Sequence, residues 1–225
     1  MKKLAILLLL ISTTISFSQE TINAKLGSFD EIKVFSGLKI TLIKADVAEI
    51  EISGKKSSEL VYKNVNGRLK LSMRFPETFN ASDVEVILYY SENINMIDVN
   101  EGSVIASKEI FKQDKMELKS QEGAYIKLSI DVTYLTIRSV LGGSITVSGT
   151  VDNQDIEANT GGSYDGYFLE ANSTTAVAAS GATIKVNTRD LLDATVRFGG
   201  NIYYKGKTSE VIKNKVIGGT IESKD

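Results

Sequence analysis

A small residue returns directly after a glycine at Ser103, Ala124, Ser144, Ser163, Ala182, Asn201 and Thr220, at spacings of 21, 20, 19, 19, 19 and 19. A fixed period near twenty is too short for a unit with its own core. Each unit must therefore bury its apolar face by stacking on its neighbours. One position past each marker stand Val104, Tyr125, Ile145, Tyr164, Thr183, Ile202 and Ile221, all β-branched or aromatic. Two positions further on stand Ala106, Lys127, Val147, Gly166, Lys185, Tyr204 and Ser223. The first ladder reads as buried and the second as mixed. Parallel strands stacked at about 4.8 Å align equivalent residues of successive turns, so each repeat becomes one coil of a β-solenoid. Helical i, i+3, i+4 spacing and helix caps are missing from this zone. The repeat predicts a parallel β-helix of about seven turns over residues 96–225.

Residues 19–95 are expected to form a leading region of β-strands that caps one solenoid end within one continuous domain, because an open strand edge invites pairing with other chains. Short runs such as Ile32-Lys33-Val34, Leu38-Lys39-Ile40-Thr41-Leu42 and Ile50-Glu51-Ile52 alternate apolar with polar, the period of a strand with one buried face. Asn66-Gly67 between two such runs is a hairpin signal, since both residues tolerate positive φ. This region reads as antiparallel, with Pro76 to Asp83 as a loop.

Residues 1–18 carry Lys2 and Lys3, an apolar run from Leu4 to Ile11 and small residues at Ser16 and Ser18. That is the pattern of a secretory signal peptide, with an apolar run too short to span a bilayer. Without it Lys plus Arg falls from 26 to 24 against 28 acids, a formal charge of −4 that offers no basic footprint for nucleic acid. No later stretch is apolar enough for a membrane span. The chain has no Cys, His or Trp. Lipid anchoring through a cysteine, disulfide staples, and Ser–His or Cys–His nucleophilic catalysis are thereby excluded, and no metal or other cofactor is expected.

Phe29-Asp30-Glu31-Ile32-Lys33-Val34, Gly37 to Leu42, Ile50 to Gly54 and Asn66 to Leu71 together resemble the GIN domain family. The resemblance covers nearly the whole chain after the leader. It implies an exported bacterial protein related to autotransporter adhesin heads, with initial strands followed by a right-handed parallel β-helix, at the cell surface or in the periplasm. It carries no functional residue over to this chain.

Ligand-binding candidates come from the densest aromatic set of the repeat zone, Tyr164, Tyr167, Tyr203 and Tyr204. A planar phenol ring on a rigid sheet stacks on a sugar or anchors a protein partner at low entropic cost. Alternation buries about half of such a set, and Tyr164 stands in the ladder read as buried. Tyr167 and Tyr203 are thus the outward-facing choices. The expected function is a non-enzymatic, adhesin-like module binding a glycan or extracellular protein, as a monomer. Two alternatives stand beside it. One is a polysaccharide-acting enzyme using outer carboxylates, Asp152, Asp155 and Glu157 or Asp190 and Asp193 with Arg189. The other is an envelope scaffold without a soluble ligand. Gly161 to Gly166 faintly echoes calcium-binding nonapeptides, but the nineteen-residue period does not supply the repeated aspartates such sites share.

Overall fold

Alternation at both ends of runs of fifteen to seventeen residues, interrupted between them, produces strands that bend around the molecule without breaking. The computed structural model describes residues 21–77, 81 and 83–225. The expected leader, residues 1–18, lies outside them. Sixteen strands follow in order: β1 Ile22–Lys25, β2 Glu31–Val34, β3 Lys39–Lys44, β4 Glu49–Ser53, β5 Leu60–Val65, β6 Arg68–Met73, β7 Glu85–Tyr90, β8 Met96–Val99, β9 Val104–Ser120, β10 Tyr125–Ser139, β11 Ser144–Ala158, β12 Ser163–Ala179, β13 Thr183–Arg197, β14 Asn201–Lys205, β15 Glu210–Lys215 and β16 Thr220–Ser223. All belong to one continuous sheet wound into a solenoid of about seven turns.

Each coil has two walls. In the first, Val86, Ile40, Ile105, Ile126, Ile145, Tyr164, Ile184, Ile202 and Ile221 stand in register from β7 through β3 and β9 to β16. In the second, Leu69, Ile32, Ile97, Leu118, Ile137, Ile156, Ala176 and Ala194 do the same. Every one of these side chains is buried. The two columns face each other across the coil and form the core, so removal of apolar surface from water is spread over every rung.

The column corrects the predicted ladder at three places. Val104, Tyr125 and Thr183 are only half-buried, and the inward positions are the next residues, Ile105, Ile126 and Ile184. The cause lies in the turns. Each coil from Asn100 to Gly200 reverses at a two-residue turn closed by an i to i+3 hydrogen bond, as from the Gly143 N–H to the Val140 carbonyl at 2.9 Å. Both central residues take positive φ, Leu141 at 50° and Gly142 at 74°, the type I′ geometry. The residue after the turn is Gly143, Gly162 or Gly200 in three coils and Ser103, Ala124 or Ala182 in three others, while in the last coil Gly218 and Gly219 themselves take positive φ. A marker defined by the last glycine therefore slips by one wherever the second glycine is missing. At Gly143 that glycine is dictated by packing, because a Cβ there would lie 2.1 Å from the Ser120 carbonyl oxygen of the preceding coil.

The leading region also differs from expectation in strand direction. β2 pairs β6 and β8 in parallel, and β3 pairs β7 and β9 in parallel. These strands are the first rungs of the two walls, joined at Ser36-Gly37 by another turn with both φ values positive. Antiparallel pairing is confined to β1 with β4, β4 with β7, and β5 with β6, the last across Asn66-Gly67 as expected. These outer strands cover the first rungs. Alternation reports which face is buried, and it is blind to strand direction.

Candidate functional site

The outer surface of the first wall carries one irregularity of consequence. Along β12 the register to β13 jumps from Gly166 opposite Val186 to Glu170 opposite Asn187, leaving Tyr167, Phe168 and Leu169 unpaired against that neighbour. A bulge of this kind re-aims side chains. Leu169 turns inward and is fully buried, while Phe168 stands 77% exposed with Tyr167 half-buried beside it. Asp165 holds the bulge by accepting the Tyr167 N–H at 3.2 Å. Sequence reasoning missed Phe168. Its one trace there is the uneven spacing of the inward column around the bulge, twenty residues from Tyr164 to Ile184 and then eighteen to Ile202.

Tyr203, half-buried, lies on the outer face two rungs on, in register with Lys185 and Glu222. Lysines crown this shelf. The Lys185 and Lys205 ammonium groups sit 5.6 and 5.4 Å from the Tyr167 ring centre, Lys205 sits 5.3 Å from that of Phe168, and Lys224 sits 5.0 Å from that of Tyr203. Cation–π attraction fixes these long side chains over the rings. Lys185 also pairs with Asp165 at 3.3 Å and Lys224 with Glu222 at 2.8 Å. Among the described residues Lys205 has no carboxylate partner. Burial first, and Asp165 second, push the Tyr167 phenol above its ordinary value, so it is a neutral hydrogen-bond donor at physiological pH.

The other two tyrosines of the predicted set point inward. Tyr164 is 1% exposed, and its ring fills the space over Gly166, where a Cβ would fall 2.7 Å from the phenol oxygen. Its hydroxyl donates to Gln154 Oε1 at 2.9 Å, Gln154 Nε2 donates to Thr174 Oγ1 at 2.9 Å, and Thr174 shares a hydrogen bond with Thr188 at 2.6 Å. All four side chains are buried, so the chain satisfies polar groups that would otherwise be costly inside. Tyr204 is 9% exposed and follows Val186 in an inward column. Neither ring is presented to an outside ligand.

Beside the shelf, the wall bends. The strand ladder skips Thr133 between Val132 and Tyr134, Asp152 between Val151 and Asn153, and Asn172 between Ala171 and Ser173. At this bend lies a groove of about 520 Å³, with Asp131, Thr150, Glu170 and Asn187 on one side and Asp152, Asn172 and Arg189 on the other. The sequence held no signal for it, since its residues are scattered over four coils.

The carboxylates considered for hydrolysis do not converge. Asp152 lines this groove, Asp155 lies in a separate depression with Tyr134 and Leu191, Glu157 pairs with Arg138 at 3.1 Å, and Asp193 contacts Asn214 at 3.5 Å. Asp190 is held by Arg189 at 3.3 Å. Among the described residues no three acidic side chains cluster as a metal site would require, at Gly161 to Gly166 or elsewhere. No helix of the described residues is long and apolar enough to cross a membrane.

The winding of this chain is shared with solved structures. A putative adhesin from Bacteroides fragilis NCTC 9343 superposes with a TM-score of 0.84 at 20% identity, over 92% of this chain and 98% of that one. A putative adhesin from Parabacteroides distasonis ATCC 8503 gives 0.72 at 18%, over 92% and 97%. A putative lipid binding protein from the same strain gives 0.68 at 19%, over 93% and 98%. At these identities the likeness is one of fold. No curated protein matches the sequence. Residues 28–208 match the family described as "Putative auto-transporter adhesin, head GIN domain", and the chain belongs to that family.

Proposed function

We propose that this protein is a non-enzymatic, exported adhesin-like module, periplasmic or at the cell surface, that binds a glycan or protein partner on the outer face of its first wall. The observation that carries the reading is the β12 bulge, which places Tyr167 and Phe168 on the surface beside Tyr203 when alternation alone would have left one of them inside. An exposed phenylalanine on a rigid wall costs solvation and adds nothing to the core. Within a set of three rings it forms a contact platform of the kind that dominates binding energy at interfaces. Adhesin relatives by family and by fold support a binding role, and the separation of Asp155, Glu157 and Asp193 from Asp152 counts against the carboxylate sets considered for hydrolysis.

The test is a binding screen of residues 19–225 against immobilised glycans and extracellular-matrix proteins, with bound saccharides checked for cleavage. Saturable binding to an intact ligand, weakened at least tenfold by Tyr167→Ala with Phe168→Ala, is the expected result. Binding that survives those substitutions together with Tyr203→Ala removes the shelf as the site, and cleavage products overturn the non-enzymatic reading.

A further inference from the structure

The groove at the bend is not separate from the aromatic shelf. Glu170 lies two residues beyond Phe168 on β12, and Lys205, whose ammonium group covers Tyr167 and Phe168, stands in register with Asn187 on the groove's near side. Shelf and groove form one strip across neighbouring rungs. We propose that this strip is a single extended saccharide site, with the groove as the hydrogen-bonding half, and that its ligand is a neutral glycan chain. The proposal rests on the reading of this face as ligand-binding and deepens it.

Three observations point to a sugar. First, the far side of the groove is a ladder of planar polar groups already held in place. Asp152 Oδ1 accepts from Asn172 Nδ2 at 3.0 Å, and Asn172 Oδ1 accepts from Arg189 at 2.6 Å. Each contact uses only part of its group's capacity. The second Asp152 oxygen, one Asn172 N–H and the guanidinium N–H groups engaged neither by Asn172 nor, at 3.3 Å, by Asp190 stay available, and fixed forks of this kind suit the paired hydroxyls of a pyranose. Second, on the near side Glu170 and Asn187 have no side-chain hydrogen bond or ion pair among the described residues, although both line the groove. They add free acceptors and an amide donor opposite the ladder. Third, apart from the bulge at Tyr167 to Leu169 and the skipped positions at the bend, β10 to β12 are paired along their length to a rung on each side, so no continuous strand edge is open. An extended peptide finds no strand edge to join here, so only side chains can make contact.

Charge selects within the class. Asp131, Asp152 and Glu170 stand against Arg189 and Lys207, with Asp131 already engaged by Thr150 at 2.9 Å and Lys112 at 3.4 Å and Arg189 paired with Asp190 at 3.3 Å. A mixed lining close to balance repels a polyanion at one end and a polycation at the other, and favours a neutral chain rich in hydroxyls. The rungs follow one another at about 4.8 Å, close to the advance per sugar of an extended pyranose chain. From Asp131 through Thr150, Glu170 and Asn187 to Lys205 the strip crosses five rungs, room for about four sugars at that spacing.

The experiment is titration calorimetry of the purified protein with cello- and chito-oligosaccharides of increasing length, and with oligogalacturonates as the anionic comparison. Affinity is expected to rise with length to about four sugars for a neutral series and then level off. Asn172→Ala with Arg189→Ala, and separately Glu170→Gln with Asn187→Ala, should weaken the longest ligand at least tenfold while leaving the thermal midpoint unchanged, because these side chains lie outside the core. Groove variants that bind like the parent while Tyr167→Ala loses binding would overturn the groove and leave the shelf standing. Oligogalacturonate binding as tightly as the neutral series overturns the charge argument. No saccharide binding at any length overturns the proposal as a whole, and a protein ligand in the broader screen would then keep the binding function without it.

Discussion

Tyr164→Phe removes one atom from the interior of the solenoid and isolates the contribution of the buried hydroxyl chain. The ring remains over Gly166, so no cavity opens and the column from Ile145 to Ile184 keeps its packing. What is lost is the donor to Gln154 Oε1 at 2.9 Å, in a side chain only 3% exposed that water does not reach. An acceptor stranded in this way costs about 1–3 kcal/mol. With about 2–4 °C of midpoint per kcal/mol in a chain of this length, a cost near 2 kcal/mol lowers the melting temperature by about 4–8 °C. The assay is thermal unfolding followed by far-UV circular dichroism, with Tyr203→Phe, on the outer face, as the control expected to stay within about 0.5 kcal/mol. Adding Gln154→Met to Tyr164→Phe removes both partners and should recover part of the loss, since Thr174 keeps its bond to Thr188 at 2.6 Å. A Tyr164→Phe midpoint indistinguishable from that of the Tyr203 control would refute the reasoning, because the buried hydroxyl would then contribute nothing.

Alkaline pH should destabilise the fold through its buried phenols. Burial first and Glu109 second push Tyr90 up to about 12, and burial followed by Asp165 pushes Tyr164 higher still. Below pH 10 both are protonated folded or unfolded and contribute no slope, whereas above it the unfolded chain ionises first and binds fewer protons. Stability then falls by about 1.4 kcal/mol per pH unit for each tyrosine held protonated by the fold, for Tyr90 until its folded value near 12 is passed. Urea titrations at pH 9, 10 and 11 measure this slope, which Tyr164→Phe should reduce; an unchanged slope in that variant removes Tyr164 from the account. Phe198→Asn should stabilise the protein by about 0.5–1 kcal/mol, because Phe198 holds φ at 49° while 59% exposed, and asparagine occupies that conformation with less strain. A lower urea midpoint for Phe198→Asn would instead show that the exposed ring is in use.

The aromatic part of the candidate site could be read from residue types, and the polar groove beside it could not. Tyr167 and Tyr203 stand out as an aromatic set, and alternation correctly turned Tyr164 inward. Tyr204 stood in the second ladder, which read as mixed because the slipped markers at Ala124 and Ala182 put Lys127 and Lys185 in it, although alternation from the buried Ile202 turns Tyr204 inward. Asp131, Asp152, Glu170 and Arg189 lie up to 58 positions apart and meet only because the rungs stack. No local pattern announces such a meeting, just as none announced that Asp155 and Asp152, three residues apart, would face different depressions.

Local chemistry settled what each segment could become. Period-two alternation committed the residues to strands, glycines near every nineteenth position committed them to tight turns, and the absence of Cys and His closed whole classes of chemistry. Those decisions need only near neighbours. Strand direction in β2, β3, β6 and β7, the one-residue correction at Ile105, Ile126 and Ile184, and the joining of shelf to groove were decided by tertiary structure. Each depends on which rung lies above which, and that choice is made by burial and hydrogen bonding across the whole stack at once, where shifting a strand by one residue would turn its entire apolar face to water.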